Sequence, residues 1–184
     1  MFEQAAISQP NIAEFHRLMG LTASKKRIPV REVRWYVDLL NVFGPADRAA
    51  LFLARKDQES VSAGISIRMG PKAWLLHLAS DYSTGLANWG LMWEMVSWGI
   101  DSGCASYDFR GTATNYPPSP LDKGYGVYQF KKSFGAQLTP LLGYFDLVLA
   151  PMRYQAFRYA ERRLLPVGER ALEALAPLRR IRTS

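Results

Sequence analysis

Three short apolar segments follow one another closely between residues 49 and 79, and they constrain the fold more than any other feature of the chain. They are Ala49 to Arg55, Ser60 to Arg68 and Ala73 to Ala79. The second segment alternates apolar and other residues with a period of two, which is typical of a β-strand. The connections over 56–59 and 69–72 are too short for a crossover helix, so we predict an antiparallel meander.

Helical patterns precede this meander. We predict a first helix from Ile12 to Met19, capped by Asn11 and ended by Gly20. Arg31 to Phe43 predicts a second helix, and the Gly44-Pro45 pair predicts its end. The side chains expected to face inward from the second helix are Val33, Val37, Leu40 and Val42.

Helices and strands alternate after the meander. The predicted order is a long helix over Leu86 to Gly103, a strand over Cys104 to Phe109, a helix over Gly124 to Phe134, a strand over Gln137 to Leu149, and two closing helices over Arg153 to Leu165 and Val167 to Leu178. This order predicts an α/β (α+β) fold of the GNAT type, with a mixed, mostly antiparallel central sheet flanked by helices. We expect one domain over residues 1–184, ending in a basic helical segment from about residue 151.

The net charge of +7 is concentrated in the segment after Pro151, which holds eight arginines and three glutamates. This segment, like the cluster Lys25-Lys26-Arg27, could contact a polyanion, and a solvated helix face explains the tail equally well. The single Cys104 excludes an internal disulfide, and His16 and His77 lack companions at ligand spacing, so we expect no metal. Without a signal peptide or a membrane-length apolar segment, the expected location is the cytoplasm.

Two motifs carry the chemistry. Ser106-Tyr107-Asp108-Phe109-Arg110-Gly111 places an acid and a base at the end of a predicted strand. The stretch from Gly124 to Gly135, Gly-Tyr-Gly-Val-Tyr-Gln-Phe-Lys-Lys-Ser-Phe-Gly, places lysines among aromatic residues on a short helix behind a glycine-rich loop. A carboxylate, an arginine and a lysine at neighbouring strand and helix ends predict a site for acyl transfer.

These two motifs, together with Gly143-Tyr144-Phe145-Asp146-Leu147, resemble the signature of the Fem family of aminoacyl-tRNA-dependent peptidyltransferases. The order of elements is similar to the second, carboxy-terminal GNAT-like domain of that family over nearly the whole chain. The resemblance implies transfer of an aminoacyl group from aminoacyl-tRNA to an amine of a peptidoglycan precursor, a UDP-linked or lipid-linked muropeptide, without a further cofactor. Typical members carry two such domains, and this chain has room for one, so the acceptor and any need for a second domain stay open.

The resemblance also implies roles for single residues. Lys131, matching the lysine of the family's Phe-Lys pair, would stabilise the oxyanion formed when an amine attacks the ester. Asp108 would accept the amine's proton or orient the ammonium group before attack, although an ion pair with Arg110 is an equal alternative. Six residues are expected to bind substrate. Phe130 and Tyr128 would stack on the terminal adenosine, and Arg110 and Lys132 would contact phosphate. Gly111 would allow close backbone approach, and Tyr125 completes the set. Core packing or plain surface positions are the competing interpretations for Tyr128, Phe130 and Lys132.

Two other functions remain open. An acyl-CoA-dependent N-acetyltransferase would need a pyrophosphate loop before the long helix, where the chain has Tyr82-Ser83-Thr84-Gly85-Leu86-Ala87. Gly85 and Ala87 fit the spacing of such a loop, but Tyr82 stands where Arg or Gln is usual. The other alternative is a non-catalytic tRNA-binding half that needs a second domain.

Overall fold

The computed structural model describes residues 1–83, 85–112, 115–122, 124–143 and 145–160. The chain divides into two compact units, Met1–Thr139 and Pro140–Ser184. The candidate site lies in the first unit, and each unit is described by itself.

A five-stranded sheet forms the centre of the first unit, with the strands in sequence order. The strands are β1 (Phe2–Ala5), β2 (Ala49–Lys56), β3 (Glu59–Met69), β4 (Lys72–Ser80) and β5 (Ser106–Asp108). Neighbours are antiparallel except for β4 and β5, which are parallel. The predicted meander is therefore confirmed, whereas β1 was missed because its four residues carry too little apolar pattern to stand out.

Helices cover both faces of this sheet, which explains why β2 and β3 are buried almost throughout. Helices α1 (Gln9–Lys26) and α2 (Val33–Phe43) pack on one face, and α3 (Ala87–Asp101) packs on the other. Successive residues of β2 point to opposite faces, so Leu51 and Leu53 join the core under α1 and α2, while Phe52 joins the core under α3.

The first two helices differ from their predicted bounds. Helix α1 continues past Gly20, where an added Cβ would meet no atom within 4 Å, and its C-cap residue is Arg27, which has left-handed backbone angles. Its N-cap residue is Ser8 rather than Asn11. Helix α2 ends as predicted at Gly44, but the inward placement of Val33 and Val42 was wrong, because these side chains are 42% and 68% exposed. The buried residues of α2 are Tyr36 and Leu40, one helical turn apart.

The later elements are shorter than predicted. Helix α3 and strand β5 keep their type and approximate position, and α4 spans Tyr125–Lys132. The strand predicted over Gln137 to Leu149 was wrong: the described residues of that span form no strand, since none of them has a hydrogen-bonded strand partner. In the second unit residues 151–160 are helical, and the remainder of the two closing helices lies outside the described residues.

No helix among the described residues combines the length and the apolar composition that a membrane crossing requires.

Candidate functional site at the open end of strands β4 and β5

The parallel strands β4 and β5 pair over only a short stretch. The ladder joins Lys72 to Ser106 and ends where Trp74 pairs with Asp108, while β4 continues to Ser80. A β-bulge coincides with this end, because the β3 partners shift so that Leu76 is the extra residue between Leu75 and His77. Among the described residues, the carboxyl half of β4 therefore has no strand on its β5 side, which leaves an opening between the two strands.

The turn after β5 is fixed by Asp108. One carboxylate oxygen accepts a hydrogen bond of 2.6 Å from the main-chain N–H of Arg110, which has a left-handed φ of 60°. The other lies 2.6 Å from the ammonium group of Lys72. The hydrogen bond from Lys72 is the main reason why the pKa of Asp108 is lowered. The ion pair of Asp108 is thus with Lys72, and Arg110 supplies a main-chain donor.

The guanidinium of Arg110 extends across the opening. Its Nη1 lies 3.5 Å from the main-chain oxygen of Leu76, the extra residue of the bulge. None of the ion pairs found in the described part of the chain includes this arginine. A guanidinium without an acidic partner can bind a carboxylate or a phosphate.

Lys131 lies at the same turn. Its ammonium group donates to the main-chain oxygens of Phe109 at 2.6 Å, Arg110 at 3.3 Å and Gly111. Burial lowers the pKa of this lysine, and the charge of Asp108 opposes that effect. The structure therefore fixes a half-buried cation at the end of β5, facing the main chain rather than open solvent.

Helix α4 presents the predicted residues on two different faces. Phe130 and Lys131 point toward the core and the β5 turn, and the ring of Phe130 lies 4.9 Å from that of Trp89 and 5.2 Å from that of Phe134. Trp89 also stacks on Phe134 at 5.3 Å. The Phe130 ring is therefore held in an aromatic cluster that joins α3 to α4.

The outer face of α4 holds the other three predicted residues. Gln129 donates a 2.6 Å hydrogen bond to the hydroxyl of Tyr125, and the rings of Tyr125 and Tyr128 lie 5.7 Å apart. The ammonium of Lys132 lies 5.7 Å from the centre of the Tyr128 ring. The structure thus brings Lys131, Asp108, Arg110 and Gly111 together, while Tyr125, Tyr128 and Lys132 contact one another elsewhere. Their separation follows from the 100° step of a helix.

His77 lies on β4 next to the bulge, and the sequence indicated no role for it. Its ring lies among those of Phe15, Trp35 and Tyr36, with centroids 5.4 to 6.1 Å away. Burial, followed by the charges of Arg110 and Arg31, lowers the pKa of His77 to about 4, so the imidazole is neutral at pH 7. Its Nε2 is buried without a hydrogen-bond partner among the described residues. The bulge at Leu76, which sequence patterns do not reveal, directly precedes His77 along β4.

No cluster of His, Cys, Asp and Glu side chains within the described ranges is arranged to hold a metal ion.

The sequence matches the model of the FemAB family over residues 55–162, a range that contains β3, β4, β5 and α4. The chain belongs to the FemAB family. The resemblance predicted from the two motifs is therefore confirmed. The matched range also contains every predicted site residue, from Asp108 to Lys132.

Two relatives illustrate the similarity of this FemAB chain to known proteins. A lipid II:glycine glycyltransferase of Staphylococcus haemolyticus is 33% identical over 106 residues, which cover 56% of this chain and 25% of the relative. The UDP-N-acetylmuramoylpentapeptide-lysine N(6)-alanyltransferase of Weissella viridescens is 26% identical over 149 residues, which cover 80% of this chain and 42% of the relative. The chain thus spans less than half the length of these transferases.

Solved structures confirm the fold class. FemX is similar with a TM-score of 0.72 at 18% identity, over 85% of this chain and 55% of FemX. An aminoglycoside 6′-N-acetyltransferase of Acinetobacter haemolyticus is similar with a TM-score of 0.56 at 12% identity, over 82% of this chain and 99% of that enzyme. At these identities the likeness is one of fold, and it confirms the predicted GNAT-like architecture.

Proposed function

We propose that this FemAB protein transfers an aminoacyl group from aminoacyl-tRNA to an amine of a peptidoglycan precursor. The amine attacks the ester carbonyl, a new C–N bond forms, and the ester C–O bond breaks as the terminal ribose hydroxyl leaves with a proton. An activated ester needs no enzyme nucleophile. The protein's task is to hold two substrates in contact and to stabilise the tetrahedral oxyanion.

The position of Lys131 carries this proposal. The turn of residues 109–111 holds its half-buried ammonium group beside the opening between β4 and β5. A fixed cation in a partly desolvated place stabilises developing negative charge more than a mobile surface lysine does. Of the three hydrogen bonds that the Lys131 ammonium donates, the one to Arg110 is the longest, 3.3 Å against 2.6 Å to Phe109 and a shorter distance to Gly111, so we assign that hydrogen to the oxyanion.

Asp108 and Arg110 supply the rest of the proposed site. Both oxygens of Asp108 already accept hydrogen bonds and its pKa is lowered, which makes the carboxylate a weak base. We therefore propose that Asp108 orients the β5 turn and the incoming ammonium group. Its alternative role as proton acceptor stays a prediction. Arg110 has no acidic partner among the described ion pairs, and we assign it to an anionic group of a substrate.

The nature of the acceptor rests on the relatives. The glycyltransferase is named for lipid II and the alanyltransferase for the lysine of a UDP-linked muropeptide, so an amine on a muropeptide is the acceptor that we propose here. Because the chain spans less than half of these relatives, a second domain or subunit can complete the acceptor site. Without such a partner the chain would act as a tRNA-binding half.

An acyl-CoA-dependent acetyltransferase is the competing function, because acetyltransferases share the fold. Its predicted loop, Tyr82 to Ala87, includes Thr84, which lies outside the described residues. Titration calorimetry with acetyl-CoA tests this function, and tight binding would favour it over aminoacyl transfer.

The direct test incubates the full chain with a pool of radiolabelled aminoacyl-tRNAs and with UDP-linked or lipid-linked muropeptides. We expect label to move into the muropeptide fraction in a form that resists mild alkali, because an amide survives conditions that cleave the aminoacyl ester. The experiment is repeated with every acceptor and with a FemAB partner chain added. If the label still remains only on tRNA or in free amino acid, the proposal is contradicted.

A further inference from the structure

The basic end of helix α1 is attached to the end of strand β4. The hydroxyl of Thr22 donates to the main-chain oxygen of Ser80 at 3.1 Å and accepts from the N–H of Ser80 at 2.9 Å. Both residues are buried. This reciprocal pair fixes the last turn of α1, which carries Lys25 and Lys26, beside the carboxyl end of β4.

The two lysines lie close to the opening without acidic partners. The ammonium of Lys25 lies 3.7 Å from the centre of the Tyr82 ring, two residues beyond the end of β4. The charge of Lys26 reaches Lys131, where it contributes to the lowered pKa. Neither lysine takes part in the ion pairs of the described residues. The nearby carboxylate of Asp81 accepts hydrogen bonds from Ser83.

Cations at a helix C-terminus also stabilise the helix, so charge alone does not make a ligand site. Here, however, the last turn of α1 is also fixed at one end of the opening, and the other cations at that opening are Arg110 and Lys131. Four positive groups around a single opening point to an anionic ligand of more than one charge.

We infer that Lys25 and Lys26 bind the backbone phosphates nearest the 3′ end of the aminoacyl-tRNA, an inference that rests on the proposed function. In an aminoacyl-tRNA these phosphates lie within one or two nucleotides of the reacting ester. The diphosphate of a muropeptide precursor is separated from its reacting amine by a sugar and several amino acids, each adding about 3.5 Å. A phosphate site close to Lys131 therefore fits the RNA.

The test measures binding of an uncharged RNA minihelix ending in CCA, from 50 to 200 mM salt, to the full chain and to a Lys25→Gln/Lys26→Gln variant. Arg48→Gln is the matched control, since Arg48 is exposed at the opposite end of the sheet, just before β2. Each lost contact to a single strand lowers the salt slope by about 0.7. We expect the double variant to lose about 1.4 from the slope, so that the affinity ratio between the two salt concentrations shrinks about sevenfold.

The control variant is expected to keep the full slope, and the double variant to bind a UDP-linked muropeptide as tightly as the unaltered chain. Three results would each overturn the inference. The salt slope of RNA binding could be unchanged in the double variant, the double variant could lose muropeptide binding selectively, or the unaltered chain could bind no RNA. The proposed function fails differently: RNA binds with the expected dependence on Lys25 and Lys26, yet no acyl group is transferred.

Discussion

Lys131 and Phe109 are joined by a 2.6 Å hydrogen bond from the lysine ammonium to the main-chain oxygen, which links α4 to the residue that follows β5. The same ammonium group also reaches the next two carbonyl oxygens. A lysine has three hydrogens to donate, so this side chain both closes the turn and places a cation at the opening. Lys131 therefore both stabilises the turn after β5 and supplies the proposed oxyanion donor.

Replacing Lys131 with alanine is expected to lower the rate of aminoacyl transfer by about 10² to 10³, the usual cost of losing one oxyanion donor. Single-turnover transfer at a temperature well below the melting point of the variant measures the chemical step. Lys132→Ala is the matched control, because Lys132 lies on the outer face of α4 beside Tyr128. Equal losses in the two variants would remove Lys131 from the chemistry.

Asp108→Asn and Lys72→Gln break the same ion pair from opposite sides. Their side chains are 41% and 49% exposed, so we expect each variant to lose about 0.2 to 1 kcal/mol of stability. Because the pKa of Asp108 is lowered in the folded state, the contribution of the pair is present above the unfolded pKa of about 3.9 and disappears as the pH falls through the lower, folded value.

We expect both of these variants to keep transfer within about tenfold of the unaltered rate, since a positioning carboxylate is only partly needed. The pH dependence of the transfer rate checks the assignment. A loss of about 10² to 10⁴ in Asp108→Asn alone, with the Lys72 variant intact, would make Asp108 the general base.

The sequence predicted the meander correctly because the connections 56–59 and 69–72 are short and local. It could not predict the bulge at Leu76, which depends on how β4 pairs with β3 and stops pairing with β5. For the same reason it gave no role to His77. These features arise from contacts between distant residues rather than from local periodicity.

The motif around Lys131 shows a different limit. In the sequence, the adjacent Lys131 and Lys132 look like parts of one site. On a helix they lie about 100° apart, so Lys131 contacts the β5 turn while Lys132 lies near Tyr128. The family resemblance predicted which segment lines the site, and the helix geometry selects the residues within it.

Thr22→Val is expected to destabilise the protein by about 1 to 3 kcal/mol, because an isosteric apolar group leaves the main-chain N–H and oxygen of Ser80 buried and unpaired. Urea unfolding monitored by circular dichroism measures the change. Thr22→Ser keeps the hydroxyl and should recover most of the lost stability. If serine and valine destabilise equally, the hydrogen bonds contribute little and only the lost methyl packing matters.

The packing role of Phe130 is tested by a double-mutant cycle with Trp89. We expect the pair to contribute about 0.5 to 1.5 kcal/mol of coupling to stability, as aromatic rings in edge contact do. Variants Phe130→Leu and Trp89→Leu, alone and combined, supply the cycle by thermal unfolding. A coupling energy near zero, together with weaker binding of a CCA-ended RNA in Phe130→Leu, would return Phe130 to the role of a base-stacking residue.

His77 should make the stability of the protein depend on pH between about 6.5 and 4. Its folded pKa of about 4 lies below the unfolded value of about 6.5, so the folded state binds fewer protons and is favoured above pH 6.5. Allowing for solvent screening, we expect the free energy of unfolding to fall by about 2 kcal/mol as the pH falls from 6.5 to 4.

The variant His77→Phe should lack this loss, because the ring among Phe15, Trp35 and Tyr36 then carries no titrating group. Unfolding curves of both proteins at matched pH values give the difference, in which the titration of all other groups cancels. Parallel pH profiles for the two proteins would show that the His77 imidazole remains hydrated and titrates normally.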